Sequence, residues 1–380
     1  MLKIIIVSLL GLVVGIVAGV YGTNYETSTP FHVKNPVPKQ IIGFLPYWQL
    51  DKVNMNEEND ITTLTYFALN IDGEGHIIKM ANEQEEDPGW YQLHSDKLGK
   101  FFANAKSNKV KLSLLISSGN ADAINQLMNI PVEHGITIVK EVAPIMKHFN
   151  FTDLNLDIED TSVASKAAQM HFTQFVRTVK QQLEKEKLGT LTVEISPTDV
   201  IKYNLINVPA ITHYTNTIVL MAYDFHSPDS IVTGPIAPLS GAGVDSEYDV
   251  TTAVQKTLEL VPPEKLILGM PLYGYEWETL NTAVRSAIIP GSGVLASNKR
   301  IESLLSSCST CSAFFNNKSQ EEFVVYQDQT SGTYHQISVP DKNSVNAKIA
   351  LANKEHLSGV ALWALGYEGD SMLTELTNYK

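Results

Sequence analysis

Phe151-Thr-Asp-Leu-Asn-Leu-Asp-Ile-Glu-Asp160 decides how the rest of this chain is read. Apolar residues alternate in it with acids or amides, which is the period of a β-strand and not of a helix. Asp153, Asn155, Asp157 and Glu159 therefore share one face, and Leu154, Leu156 and Ile158 share the other. A solvent-facing edge strand mixes Lys, Thr and Ser among its acids, but this run holds no Lys or Arg. A face with so many carboxyl and amide groups is costly to bury unless they pair or do chemistry. Carboxylates two residues apart on a strand sit close enough to repel, so one pKa rises. A carboxyl still protonated near neutral pH is what a general acid requires. The run reads as a catalytic strand.

Working outward, short β-branched or aromatic runs recur at 41–46, 62–69, 110–117, 152–158, 191–196, 217–223, 266–270 and 359–363, with helical patterns such as 136–149, 162–186, 250–260 and 344–356 between most of them. Strand and helix alternating eight times predict an α/β fold of the closed (β/α)8 TIM-barrel type over residues 40–380. An open doubly wound sheet is the competing architecture. It announces itself by a Gly-rich phosphate loop after the first strand, and Gly43-Phe-Leu-Pro-Tyr-Trp48 is nothing like one. The rhythm breaks between the seventh and eighth strands. There 278–340 holds two β-like runs, a hairpin signal at Thr330-Ser-Gly-Thr and a Cys pair, which predicts an inserted α+β lobe walling one side of a cleft.

Composition narrows the class. The 380 residues carry a net charge of −13 with 44% hydrophobic residues and no basic cluster. Nucleic acid is excluded as a partner, because phosphate neutralisation needs a concentrated Lys/Arg surface. An apolar run, 4–20, follows Lys3 and reads with its flanks as a signal-anchor or transmembrane segment at 1–22. Thr, Asn and Pro fill 23–39, which reads as a tether. The rest is then exported, membrane-anchored or secreted if the segment is cleaved. Cys308 and Cys311 are the only cysteines; in an exported chain a local disulfide is the expected state, and neither a second Cys pair nor a matching His supports zinc.

Barrel enzymes place reacting groups at the C-terminal ends of their strands. That rule selects Asp157-Ile-Glu159 on the fourth, Met221-Ala-Tyr-Asp224 on the sixth, Pro271-Leu-Tyr-Gly-Tyr-Glu-Trp277 on the seventh and Trp363 on the eighth. Acids among Tyr and Trp describe a carbohydrate cleft: aromatic faces stack on sugar rings while carboxyls work on the glycosidic oxygen. Any one of these aromatics, taken singly, has an ordinary core explanation.

The same residues resemble glycoside hydrolase family 18, the chitinase-like and peptidoglycan-cleaving barrels. Residues 152–159 fall on its D-G-x-D-x-D-x-E signature, Met221-Ala-Tyr-Asp224 on M-x-Y-D, Gly269-Met-Pro-Leu-Tyr-Gly274 on G-x-P-x-Y-G and Gly359-Val-Ala-Leu-Trp363 on G-x-x-x-W. Ser117-Ser-Gly-Asn120 approximates S-x-G-G. Thr152 and Asp153 replace the leading Asp-Gly, and Asn155 replaces the middle Asp, removing one carboxyl that could share a proton with Asp157. The resemblance implies substrate-assisted hydrolysis of β-1,4-linked N-acetylglucosamine polymers by a monomer without metal or cofactor. It implies Glu159 as proton donor, with Asp157 and Tyr223 on the substrate's 2-acetamido group. Asn155, Met221, Asp224 and Trp363 would shape the sugar site, with Tyr47 and Tyr273 as further substrate-binding aromatics. A glycan-binding, non-catalytic protein on the same barrel is the alternative.

Overall fold

The alternating runs close on themselves. The computed structural model describes residues 38–53, 60–160, 162–202, 204–244, 246–369, 372, 373, 376 and 379. Its barrel strands are β1 (Gln40–Pro46), β2 (Thr63–Asn70), β3 (Lys111–Ser118), β4 (Asp153–Ile158), β5 (Thr190–Ile195), β6 (Thr217–Met221), β7 (Leu266–Pro271) and, after five strands of an inserted lobe, β13 (Gly359–Trp363). They form a closed barrel in the order β1-β13-β7-β6-β5-β4-β3-β2, with every neighbouring pair parallel. Closure falls at Gln40↔Gly359. A Cβ at Gly359 would stand 2.1 Å from the Gln40 carbonyl oxygen, so only glycine lets the first and last strands meet there.

Helices α1 (Pro88–Leu93) and α2 (Asp96–Ser107) follow β2, and α3 (Ala121–Asn129) and α4 (Pro131–Phe149) follow β3. Then come α5 (Lys166–Glu186), α6 (Val208–Ile211), α7 (Val250–Leu258), α8 (Asn298–Ser307) in the lobe and α9 (Lys342–Lys354) before β13. Their starts are written locally: Ser95, Asn120, Ser165 and Asp249 accept the N–H of Leu98, Ala123, Ala168 and Thr252, satisfying donors that a helix end would otherwise orphan. The expected helix at 162–186 begins at Lys166, where its Ser165 cap allows it to. Leu154 and Leu156 of β4 are fully buried, so its apolar face packs outward on the helices while the acidic face turns into the barrel.

The lobe is a five-stranded sheet of order β10-β11-β12-β8-β9, made of β8 (Tyr273–Thr279), β9 (Val294–Ser297), β10 (Ser312–Asn316), β11 (Glu321–Gln327) and β12 (Tyr334–Val339), all antiparallel. It starts earlier than the expected boundary at 278. The barrel strand stops at Pro271, and the aromatic run after it pairs with β12 and β9 instead of continuing the rim. Alternation with an apolar flank looks the same in either sheet, so sequence period alone does not separate them. A small core of Ala296, Ile301, Val324, Ile337 and Val339 holds the lobe together. Among the described residues no helix is long and apolar enough to cross a membrane. The expected anchor at 1–22, and all of the expected linker except residues 38 and 39, lie outside the described residues.

Candidate active site

A cleft of about 490 Å³ opens where the strands end, lined by Asp157, Glu159, Glu194, Met221, Tyr223, Asp224 and Trp363 among others. That volume lies within the range of small-molecule sites. The fourth strand delivers its acids there in register: Ser117 of β3 pairs with Asp157, and Glu159 donates its backbone N–H to the Ser118 carbonyl just past the strand end.

Asp157 is 4% exposed, and burial together with the Glu159 charge pushes its carboxyl well above the usual range. Glu159 is open to the cleft because the strand has ended, while its carboxyl stays in hydrogen-bond contact with Asp157. Burial raises the Glu159 carboxyl, the bond with Asp157 opposes that rise, and the charges of Asp224 and Asp199 reinforce it. Two carboxyls in such contact hold one proton between them, since both cannot ionise side by side. The pair is an acid poised against a carboxylate.

Behind it lies a group the sequence reading passed over. Asn155, 1% exposed, donates from Nδ2 to Oε1 of Glu194 at 2.6 Å. Glu194 sits on β5 within Leu191-Thr-Val-Glu-Ile-Ser196, whose Thr192, Glu194 and Ser196 alternate with apolar neighbours as the β4 acids do. That alternation was the available signal. Asp153, at the base of β4, accepts the hydroxyls of Ser113 (2.7 Å), Thr190 (2.5 Å) and Thr192 (3.1 Å). Burial nonetheless raises its carboxyl to about 6, against those three bonds.

Tyr223 follows β6 and lies near the carboxyls. Burial, then the charges of Glu194, Asp157, Asp224 and Glu159, raise its hydroxyl well above the usual phenol range, so it stays a donor. Its ring has room because β7 carries Gly269 beside it; a Cβ there would meet Tyr223 Cε1 at 3.2 Å and the Leu220 carbonyl oxygen at 2.7 Å. Asp224 adopts φ 58°, a left-handed backbone that Asp tolerates better than most residues. It accepts the hydroxyls of Tyr273 (2.5 Å) and Tyr275 (3.1 Å). Tyr273, expected to bind substrate, is instead 1% exposed and absent from the cleft lining; it reaches the site through Asp224. It opens the lobe's first strand, and that turn points it beneath the rim.

Aromatic rings wall the opposite side. Trp363 packs edge-on against Phe67 (4.6 Å) and Phe44 (5.7 Å), all three lining the cleft. Trp48 stands 6.4 Å from Trp363, 43% exposed. Tyr47, the other expected substrate aromatic, does not line the cleft; it lies in a 3-10 turn (Tyr47–Gln49) against Trp48. The chain turns as β1 ends, and it is the neighbouring ring that is exposed. Among the described residues no group of three or more His, Cys, Asp or Glu is arranged to hold a metal ion. Cys308 and Cys311 are bonded, with Cα atoms 5.5 Å apart, in the lobe and away from the cleft.

Comparison with known proteins agrees with this geometry. The family described as "Glycosyl hydrolases family 18" matches residues 40–368. A class V chitinase of Arabidopsis thaliana is 26% identical over 71% of this chain and 72% of its own length. The spore cortex-lytic enzyme SleL of Bacillus megaterium shares the fold with a TM-score of 0.67 at 18% identity, over 91% of this chain and 75% of that one. A Group IV chitinase of Ostrinia furnacalis does so with a TM-score of 0.77 at 20% identity, over 90% and 98%. With the family matched across most of its length, on a closed barrel with an acid pair at the strand ends, this chain belongs to glycosyl hydrolases family 18 and is a glycosidase.

Proposed function

We propose that the protein hydrolyses β-1,4-linked N-acetylglucosamine polymers, chitin or peptidoglycan, by a substrate-assisted retaining mechanism. The Asp157–Glu159 pair carries this reading: one proton held at the mouth of a cleft, beside a phenol that cannot ionise. Glu159 gives its proton to the bridging oxygen as that oxygen leaves the anomeric carbon. The carbonyl oxygen of the sugar's own 2-acetamido group bonds to the anomeric carbon and forms an oxazolinium ion. Asp157, released from its bond to Glu159, accepts the acetamido N–H and offsets the positive charge that develops there. Tyr223 donates its hydroxyl to the acetamido oxygen. Trp363 floors the sugar ring, and Met221 and Asp224 shape the pocket. Water then attacks the anomeric carbon and displaces the acetamido oxygen, giving a proton back to Glu159 with net retention.

Replacing Glu159→Gln removes the proton donor and keeps the shape. Sugar release from a chitin oligomer is expected to fall about 10³-fold, with binding retained. Equal, slow release by wild type and variant establishes the glycan-binding alternative instead. Oligomers of plain cellulose, which lack the acetamido nucleophile, are expected to remain intact. Parallel assays on chitin oligomers and purified peptidoglycan decide between the two polymers. The apolar run at 4–20 supports an anchor that places the barrel outside the cytoplasm; the protein should leave the membrane fraction when 1–22 are deleted, and retention there refutes the anchor.

A further inference from the structure

The acid ladder of β4 lacks a carboxyl at 155, and β5 brings one in level with Asp157. Leu156 pairs with Val193, so Asp157 and Glu194 are the next residues along two adjacent strands. Glu194 is 3% exposed and lines the cleft. A buried carboxylate with one hydrogen bond is expensive, and a Glu–Asn pair could be replaced by apolar residues at little cost if it served packing alone. Its surroundings supply the other bond in a particular way. Oε2 of Glu194, Oδ1 of Asp157 and Oδ1 of Asn155 are all buried with no donor reaching them. With both acids ionised all three oxygens only accept, so the cluster is short of donors. A proton on Oε2 of Glu194 supplies a donor, and Asp157 Oδ1 is an acceptor still open.

We propose that Glu194 is a positioning residue that supplies from β5 the carboxyl absent at 155, holding a proton against Asp157 and so fixing that carboxylate for its work on the sugar amide. The groups facing Glu194 agree. Burial pushes its carboxyl well above the usual range, Asp157, Glu159 and Asp153 push it further, and the Asn155 amide alone opposes them. After β6, the Tyr223 hydroxyl lies close enough for the Glu194 charge to raise it. A neutral Glu194 can donate where a second carboxylate would repel.

The proposal rests on the hydrolase reading, and its test separates the two. The full chain is assayed on N-acetylglucosamine tetramer across pH. Glu194→Leu is expected to lower kcat 10- to 100-fold with KM within threefold and to displace the pH profile of kcat/KM. Glu194→Gln, whose amide can still donate to Asp157 and accept from Asn155, should recover most of that loss. Relocating the carboxyl in Asn155→Asp/Glu194→Leu should recover at least fivefold over Glu194→Leu, which a packing role cannot explain. Wild-type kcat and pH profile in Glu194→Leu, or a relocation variant no better than Glu194→Leu, overturn the proposal. Should Glu194→Leu not fold, or should wild type release no sugar (a failure of the hydrolase reading), infrared spectra of wild type and Glu194→Gln decide independently of turnover. Loss of a protonated-carboxyl absorption in Glu194→Gln upholds the assignment, and identical carboxyl absorption refutes it.

Discussion

Glu194 in the barrel and Glu276 in the lobe are equally hidden, 3% and 2% exposed, and burial pushes both carboxyls up. Their outcomes are opposite. Glu276 on β8 receives the Tyr326 hydroxyl at 2.6 Å, His335 Nδ1 at 2.7 Å and the guanidinium of Arg300, and these partners hold it below the usual range. Glu194 receives one amide and faces other acids. The same side chain at the same burial is thus a fixed anion in one place and a neutral acid in the other. Burial does not decide what a carboxyl does; the charge and donors around it do. The satisfied acid ties β8, β11, β12 and α8 together, and the unsatisfied ones cluster where a substrate must be protonated and held.

Three substitutions break or sharpen that contrast. The largest effect belongs to Asp157→Asn, which leaves an amide where charge is needed: kcat on a chitin oligomer should fall about 10²- to 10³-fold. Its melting temperature should hold or rise, because a buried acid without a cation is removed. A large loss of stability with kcat intact contradicts the division drawn here. Next comes Glu276→Gln, expected to cost about 2 kcal/mol in a denaturant titration because buried donors lose their anion. Activity per folded molecule should be unchanged. The sign with pH follows from the lowered carboxyl: its stabilisation is present above the ordinary glutamate range and lost as pH falls through the native value, so the wild-type excess over the variant should shrink in acid.

Asp153→Asn gives the opposite slope. Its native carboxyl titrates at about 6 against 3.8 when free, so its contribution is complete below 3.8 and is lost as pH rises through 6. Between those limits wild type should lose at most about 3 kcal/mol relative to the variant. Melting curves whose difference is flat from pH 4 to 7 show that burial does not raise the Asp153 carboxyl.

Much of the site was legible because a strand projects alternate residues to one face. The period of 151–160 places Asp157 and Glu159 together without any tertiary information, and eight such runs imply a rim where strand ends converge. What failed to read were places where sheets exchange strands or strands act in concert. Tyr273 looks like a rim aromatic until the chain turns at Leu272 and β8 joins the lobe, leaving its hydroxyl on Asp224. Tyr47 and Trp48 are adjacent letters, and only the 3-10 turn decides which ring is exposed. Glu194 carries no motif; its meaning comes from lying level with Asp157 across a strand pair.

The order of residues by itself determined the strand periods and the helix caps, because each depends on neighbours within a few positions of the chain. Only the folded barrel decided which carboxyls stay neutral, since proton affinity depends on charges and donors brought together from β4, β5, β6 and the lobe across dozens of residues.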